Sequence, residues 1–346
     1  MALGTWHFRM KEALLYKKLD HRRVNCQLCS HYCIILPEKR GRCGVRENKD
    51  GQLFSLVYGK LIAQNIDPIE KKPFFHFLAG TVSYSIAAVG CNFRCLNCQN
   101  YDISQAPVEK NFTYGFQTGP EEVVQKALEN NCQSISYTYT EPTVFFEFAY
   151  YVARIAREKG LKNLFVTNGY MSPEMLEIFH PYLDGANVDL KGATDEFYQK
   201  VCGARLEPVK KNLKIMKRYG IWIEVTTLII PDLNDTEEDF KKIAAFIARE
   251  LGTEVPWHLS GFHPTYKLSD SNPTPLDTLM KAYNIGKQMG LKYIYIGNFP
   301  GTTGEHTACP QCGKTIIKRY GFEVLENKIK GGCCGFCQEK IAGVWK

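Results

Sequence analysis

From roughly residue 83 to residue 300, short apolar runs alternate with segments whose apolar positions recur every three or four residues. The runs at 83–90, 134–140, 163–167, 186–190, 221–229, 258–262 and 293–297 predict strands, and the segments between them predict helices. Several helix starts are marked. Thr118-Gly119-Pro120-Glu121 reads as a capping box with an early proline, ahead of Val123, Val124 and Leu128. Pro142 opens a helix with Phe145, Phe148, Val152 and Ile155 on one face. Ser172-Pro173 and Asp235-x-x-Glu238 begin two more. Strands and helices alternating in this way predict parallel strands joined by right-handed crossovers. The fold class is therefore α/β, a partial (open) α/β barrel of about six βα units, with chemistry expected at the C-terminal ends of its strands.

The 346 residues carry a net charge of +7 and are 45% hydrophobic, the balance of a globular protein rather than a fibrous or disordered one. The mild positive excess suits an anionic substrate and gives little reason to expect nucleic acid. No window approaches the roughly 18 apolar residues of a membrane span, so no membrane is expected as a partner. The opening MALGTWHFRMKEALLYKKLDHRR carries charges through its apolar part and does not read as a secretory signal. The expected location is cytoplasmic.

Cysteine usage changes the picture. Of fourteen cysteines, twelve fall in three clusters: Cys26, Cys29, Cys33 and Cys43; Cys91, Cys95 and Cys98; and Cys309, Cys312, Cys333, Cys334 and Cys337. In a reducing compartment such clusters mean metal rather than disulfides. Cys132 and Cys202 stand alone and read as small apolar core residues. The clusters divide the chain into a cysteine-rich module at 1–75, the barrel at 76–303 and a zinc-ribbon or rubredoxin-like module at 304–346.

The central triplet has the spacing Cys91-x3-Cys95-x2-Cys98 on a loop directly after the first predicted barrel strand. Three thiolates can hold three irons of a [4Fe–4S] cube and leave the fourth iron open, whereas a fully protein-ligated cluster uses four cysteines. Zinc also wants four ligands, and no fourth cysteine or histidine lies nearby in the sequence. The outer clusters have closed spacings. Cys309-x2-Cys312 and Cys334-x2-Cys337 flank a stretch, 314–327, that alternates as short strands, which predicts zinc or iron on four thiolates with Cys333 as a spare. Cys26-x2-Cys29-x3-Cys33-x9-Cys43 could hold structural zinc or a second iron–sulfur centre, and its spacing is not that of bacterial ferredoxins.

On Cys91-x3-Cys95-x2-Cys98 the chain resembles radical S-adenosylmethionine (SAM) enzymes, and on Cys95-Leu96-Asn97-Cys98-Gln99-Asn100 the activating enzymes of glycyl-radical enzymes. Over nearly its whole length it is similar to the radical SAM protein of the AmmeMemoRadiSam system and to pyruvate formate-lyase activating enzyme homologues. The resemblance implies a [4Fe–4S] cluster on Cys91, Cys95 and Cys98, the candidate catalytic residues, with SAM bound at the open iron. It implies reductive cleavage of SAM to methionine and a 5′-deoxyadenosyl radical that takes hydrogen from a substrate, a small molecule or a protein. The electron would come from an external donor such as flavodoxin or ferredoxin.

Candidates for holding SAM follow from the same resemblance. Glu141, in Tyr137-Thr138-Tyr139-Thr140-Glu141, stands where those enzymes carry Gly-Gly-Glu for the methionine ammonium, although both glycines are replaced here. Thr167-Asn168-Gly169 and Asp189-Leu190-Lys191 match their Thr-Asn-Gly and Asp-Leu-Lys segments, the latter facing ribose and methionine carboxylate. His263 follows the sixth strand like a histidine placed over SAM. Phe93 and Asn97 lie in the cysteine loop near where adenine would pack, with Asn97 replacing the usual bulky apolar residue. Three functions compete: a radical SAM enzyme whose terminal metal modules shape the substrate cleft, an activase making a glycyl radical on a partner protein, and a zinc-ribbon module binding nucleic acid or protein through the basic stretch 314–319.

Overall fold

The structure, a computed structural model, describes residues 10–345. The first nine residues of the charged opening segment lie outside the described residues. A single eight-stranded sheet organises the chain: β1 (Ala63–Pro68), β2 (Val82–Ala87), β3 (Ser134–Tyr137), β4 (Lys162–Thr167), β5 (Gly185–Asp189), β6 (Trp222–Ile229), β7 (Trp257–Gly261) and β8 (Ile294–Gly297), side by side in chain order. From β2 to β8 every neighbour is parallel, and β1 is added antiparallel on β2. The sheet stays open between β1 and β8. All seven predicted strands are present, with ends displaced by no more than three residues.

Six longer helices make the crossovers: α1 (Pro120–Glu129), α2 (Phe146–Glu158), α3 (Pro173–Phe179), α4 (Leu206–Arg218), α5 (Glu237–Phe246) and α6 (Leu276–Gln288). Two starts differ from the sequence reading by one residue. Pro120 at the first helical position makes Gly119 the cap of α1, and its N–H donates to Glu122 rather than Glu121, at 3.4 Å. For α5 the cap is Thr236, whose hydroxyl accepts from the Asp239 N–H at 3.2 Å, while Asp235 accepts from the Asp232 N–H. Ser172 caps α3 as expected, accepting from the Met175 N–H at 3.1 Å. Pro142 opens a short 3₁₀ turn, Pro142–Phe145, that runs into α2.

The N-terminal cysteine-rich segment forms two small antiparallel sheets, of Lys11–Glu12, Gln52–Ser55 and Arg46–Lys49, and of Tyr16–Lys18, Val24–Cys26 and Ile34–Ile35. Its last part belongs to the barrel sheet, because β1 lies within the stretch 1–75. It docks on α2 through Arg46, whose two terminal nitrogens meet both carboxylate oxygens of Glu147 at 2.9 and 2.5 Å with neither side chain more than 1% exposed.

The C-terminal segment is a three-stranded antiparallel ribbon of Thr307–Ala308, Thr315–Tyr320 and Glu323–Asn327. It packs at the beginnings of the barrel strands, the end opposite to the loops where chemistry is expected. Arg319 is buried there, donating to the Phe75 carbonyl at 2.9 Å and lying 4.2 Å over the Phe75 ring. Two expectations change. The ribbon does not border a cleft at the C-terminal strand ends, and the basic stretch 314–319 does not present Arg319 to a partner. The reason is local: Glu70, Glu224 at the start of β6 and His258 at the start of β7 are buried polar groups that require partners. Glu224 accepts from the Phe75 and His76 N–H groups, from Trp222 Nε1 and from His258 Nε2 at 2.6 Å, and Arg319 stands 3.7 Å from Glu70.

His76 sits fully buried in this plug, with Nδ1 2.6 Å from the Ala342 carbonyl and Nε2 2.5 Å from the Tyr295 hydroxyl. Burial lowers its pKa from 6.5 to about 4, against a smaller upward pull from Glu224. Because the unfolded chain binds this proton first, folding stability should fall as pH drops from 6.5 towards 4, by at most about 3 kcal/mol for this group. Thermal unfolding across pH 7 to 4 should therefore show a slope that His76→Asn flattens; an unchanged slope in the variant would assign the proton uptake elsewhere.

Candidate active site

Strand register brings the C-terminal ends of β2 to β5 level, since Tyr137 pairs with Ile86 and Phe165, and Thr167 with Val188. The loops that follow these strands meet there. The first holds Cys91, Cys95 and Cys98 and is pinned on both sides. Arg94 N and Leu96 N donate to the Cys202 and Val201 carbonyls at 2.8 and 3.0 Å. The Arg94 guanidinium returns to the Cys91 and Phe93 carbonyls at 2.9 and 2.7 Å, and Gly90 N donates to Ile103. Val201 and Cys202 end a π-helical turn, Tyr198–Cys202, a geometry that recurs at functional sites.

The three thiols sit among donors. Phe93 N lies 3.4 Å from Cys91 Sγ, Asn168 Nδ2 lies 3.8 Å from it, and the Ser104 hydroxyl lies 3.1 Å from Cys98 Sγ. Burial raises the pKa of Cys91 and Cys98; for Cys95 the neighbouring Cys202 thiol acts first and burial second. Thiols held neutral in this way become thiolates when a cationic centre replaces the proton. The donor set fits an anionic iron–sulfur cluster: three thiols on one short loop, with N–H and O–H groups aimed at two of them.

Glu141 lies at the centre of the second network. It is 2% exposed, and burial raises its pKa against the hydrogen bonds it accepts. Its Oε1 accepts from the Thr143 N–H at 3.1 Å and from the Thr143 and Thr167 hydroxyls at 2.5 and 2.7 Å, and its Oε2 accepts from the Asn168 N–H at 2.8 Å. Asn168 then donates through Nδ2 to Asn92 Oδ1 at 2.7 Å. Glu141, Thr167 and Asn168 are thereby joined to the cysteine loop. Tyr139, two residues before Glu141, takes a left-handed φ of +62°. That conformation costs a non-glycine residue about 1–2 kcal/mol. Contacts offset it: the ring lies 4.2 Å under Lys72 Nζ, the hydroxyl bonds Asp67 and accepts from Asn65, and Asn100 Nδ2 donates to the Tyr139 carbonyl at 2.7 Å.

Asp189 and Lys191 form a half-buried ion pair at 2.7 Å after β5. Burial would lower the Lys191 pKa, but Asp189 and the nearby Cys95 and Cys202 sulfurs outweigh it and hold the ammonium charged. The remaining predicted residues are placed differently. Phe93 is turned into the core, 5.1 Å from the Tyr170 ring and 6.3 Å from Tyr198. Asn97 is buried within the loop, and His263 is exposed on the segment following β7. Sequence spacing did not single out Asn92, Asn100, Ser104 or Cys202, which position the loop. Two of them carried a signal, Asn100 as the end of the Cys95–Asn100 segment that resembles the activating enzymes and Cys202 as one of two unclustered cysteines.

The C-terminal thiols of Cys309, Cys312, Cys334 and Cys337 all lie within 4.8 Å of one another, the one such group among the described residues. Cys309 and Cys337 sulfurs are 3.6 Å apart and those of Cys312 and Cys334 3.9 Å. A tetrahedral ion bound at about 2.3 Å per sulfur requires separations of about 3.8 Å. Cys333, exposed more than its neighbour Cys334, stands outside the set.

The radical SAM superfamily signature matches residues 85–247, from β2 through α5. A Methanocaldococcus jannaschii chain, "Uncharacterized protein MJ0808", is 49% identical over 334 residues, 96% of this chain and 99% of that one. The pyruvate formate-lyase-activating enzyme of Clostridium pasteurianum is 24% identical over 190 residues, 52% of this chain and 77% of that one. Among solved structures, Streptococcus suis SuiB bound to the precursor peptide SuiA has a TM-score of 0.50 at 13% identity, over 66% of this chain and 51% of that one, a likeness of fold. With the thiol triplet on the loop after β2, the stretch 85–247 is a radical SAM superfamily domain, and the chain is similar to the pyruvate formate-lyase activating enzymes.

Proposed function

We propose that the protein is a radical SAM enzyme that holds a [4Fe–4S] cluster on Cys91, Cys95 and Cys98 and cleaves SAM reductively. The observation that carries this reading is the triplet itself, three buried or half-buried thiols on one pinned loop at the C-terminal end of a parallel sheet in a chain of this superfamily. When bound, the cluster and SAM supply a one-electron cleavage giving methionine and a 5′-deoxyadenosyl radical, which takes hydrogen from a substrate.

This chain's residues bind and orient. The lone pair of Glu141 Oε2 not used by Asn168 is left for an ammonium, while the three bonds on Oε1 fix the carboxylate's direction. Lys191 offers a cation to a carboxylate and Asp189 an acceptor to ribose hydroxyls, each held by the other. Thr167 and Asn168 set the backbone that faces the cysteine loop. His263 and the loop residue Asn97 remain candidates for the adenosine side, while the Phe93 ring is taken up by the core. The C-terminal four thiols are assigned to one structural zinc, on their tetrahedral spacing. The donor of the electron is a flavodoxin- or ferredoxin-class protein. A second reading, hydrogen abstraction from a glycine of a partner protein, is favoured by relatives named as pyruvate formate-lyase and isethionate sulfite-lyase activating enzymes.

Three measurements check these roles. Anaerobically reconstituted protein with dithionite and SAM should form 5′-deoxyadenosine, and Cys91→Ser, Cys95→Ser, Cys98→Ser together should remove about four irons per chain and all of the nucleoside. A parent protein with its cluster intact and no nucleoside formed would count against the function. Cys202→Ala should keep both iron and nucleoside; loss of the cluster would make Cys202 a fourth ligand and close the open corner. Cys312→Ser should lose about one zinc per chain and lower the Tm while iron content stays unchanged.

A further inference from the structure

Cys26, Cys29, Cys33 and Cys43 line a single, largely enclosed cavity between the N-terminal module and the barrel. Their arrangement differs from that of the C-terminal four. Among the described residues only the C-terminal thiols are gathered within 4.8 Å, whereas no three of the N-terminal thiols are. One tetrahedral zinc needs sulfurs about 3.8 Å apart. A cube of iron and sulfide interposes its own edges, so four thiolates around it stand farther apart and still face one space.

The wall of the same cavity carries two stranded donors. Arg46 and Asn92 both line it, both are 1% exposed, and Arg46 Nε and Asn92 Nδ2 have no hydrogen-bond partner. Their other groups are committed, Arg46 to Glu147 in a bidentate pair and Asn92 Oδ1 to Asn168. A buried donor without an acceptor loses its hydration and gains nothing in return. An anionic ligand rich in sulfur acceptors would satisfy both.

We propose that Cys26, Cys29, Cys33 and Cys43 ligate a second [4Fe–4S] cluster, closed by four thiolates, which passes single electrons to the cluster held by Cys91, Cys95 and Cys98. The relay rests on the function proposed above; the site itself does not. The two centres share a wall. Asn92 adjoins Cys91 in the chain and lines the N-terminal cavity, and His31, also on that cavity, contacts the Asn92 carbonyl at 2.9 Å. The loop approaches so closely that a Cβ on Gly90 (φ +107°) would stand 2.8 Å from Val45 Cγ1 and 3.3 Å from the Cys43 carbonyl. Arg42, exposed, lines both this cavity and a neighbouring open cleft with Tyr170 and Arg205, so the site lies just beneath the surface. In each transfer a reduced flavodoxin- or ferredoxin-class donor loses one electron, the four-thiolate cluster passes from 2+ to 1+ and back, and the triplet-held cluster goes from 2+ to 1+. No atom or proton moves.

Metal analysis of the anaerobically reconstituted full chain should give about eight irons, eight sulfides and one zinc; about four irons and two zincs would overturn the site. The Cys91→Ser, Cys95→Ser, Cys98→Ser protein should retain about four irons and an electron-spin signal on dithionite reduction, and absence of both would also overturn it. With Cys26→Ser, Cys43→Ser, nucleoside formation should persist with dithionite and fall at least about tenfold with reduced flavodoxin. Equal rates with the two reductants would overturn the relay. A parent chain that holds both clusters and forms no nucleoside would instead sink the proposed function and leave this site standing.

Discussion

A carboxylate sealed from water must find its hydrogen-bond donors inside the protein, and the way Glu141 does so organises the candidate site. It takes four bonds from three residues, Thr143 on its own turn and Thr167 and Asn168 at the end of β4. Stripping any of them would leave a buried charge or its neighbours short of partners, at about 1–3 kcal/mol per orphaned group. The ends of two strands are thereby held in one arrangement, and the Asn168 side chain extends the constraint to Asn92 and Cys91. A triplet of thiols on a loop is flexible by default. Here its position follows from a barrel network that cannot relax without exposing or abandoning Glu141.

The second constraint sits on the other side of the loop. Arg46 and Glu147 are both removed from water, and such a pair is tolerated only with good geometry and satisfied neighbours. The bidentate contact supplies the geometry, and Leu14 N adds a bond to Glu147 at 3.0 Å. The pair fastens the N-terminal module to α2, while Ser30 N donates to the Tyr170 carbonyl of the β4–α3 turn and Ser172 of that turn donates back to the Leu28 and Gln27 carbonyls. That module reaches the cysteine loop at Gly90, where only a residue without a Cβ fits at φ +107°. The loop is therefore clamped between Glu141's network and a module whose four cysteines line a cavity that Asn92 of the loop also borders.

Much of this was legible in the sequence because parallel strands buried on both faces read as apolar runs, and all seven appear where the runs stand. The strand that escaped is β1. Its sequence Ala-Gln-Asn-Ile-Asp-Pro is mostly polar, it lies at a sheet edge, and it pairs antiparallel. The triplet was legible from spacing alone, and the C-terminal four from two knuckles flanking a ribbon. What spacing could not give was the company each residue keeps. Asn92 differs from any loop asparagine only through the Asn168 and His31 contacts, which join residues more than sixty positions apart. Phe93, a candidate for packing on adenine, was claimed by Tyr170 and Tyr198 because an aromatic ring at the base of the loop gains more from burial than from facing a cleft.

The two terminal cysteine-rich modules are alike in cysteine content and opposites in placement. The C-terminal ribbon closes the start of the barrel, where Glu224, His258, His76 and Tyr295 need a dry enclosure and Arg319 supplies a cation to it. The four thiols of the ribbon stand at that end, so a metal held by them would act on the site only through the stability of β6 to β8. The N-terminal module touches the loop that carries the triplet, through Val45 and Cys43 at Gly90 and through His31 at the Asn92 carbonyl, so a cluster bound there would bear directly on the Gly90–Cys91–Asn92 backbone. Position in the barrel, rather than ligand type, thus separates a structural metal from one placed to take part in the chemistry: a closed site at the strand beginnings can only brace, while a closed site against the strand-end loop has a neighbour to which it can pass an electron.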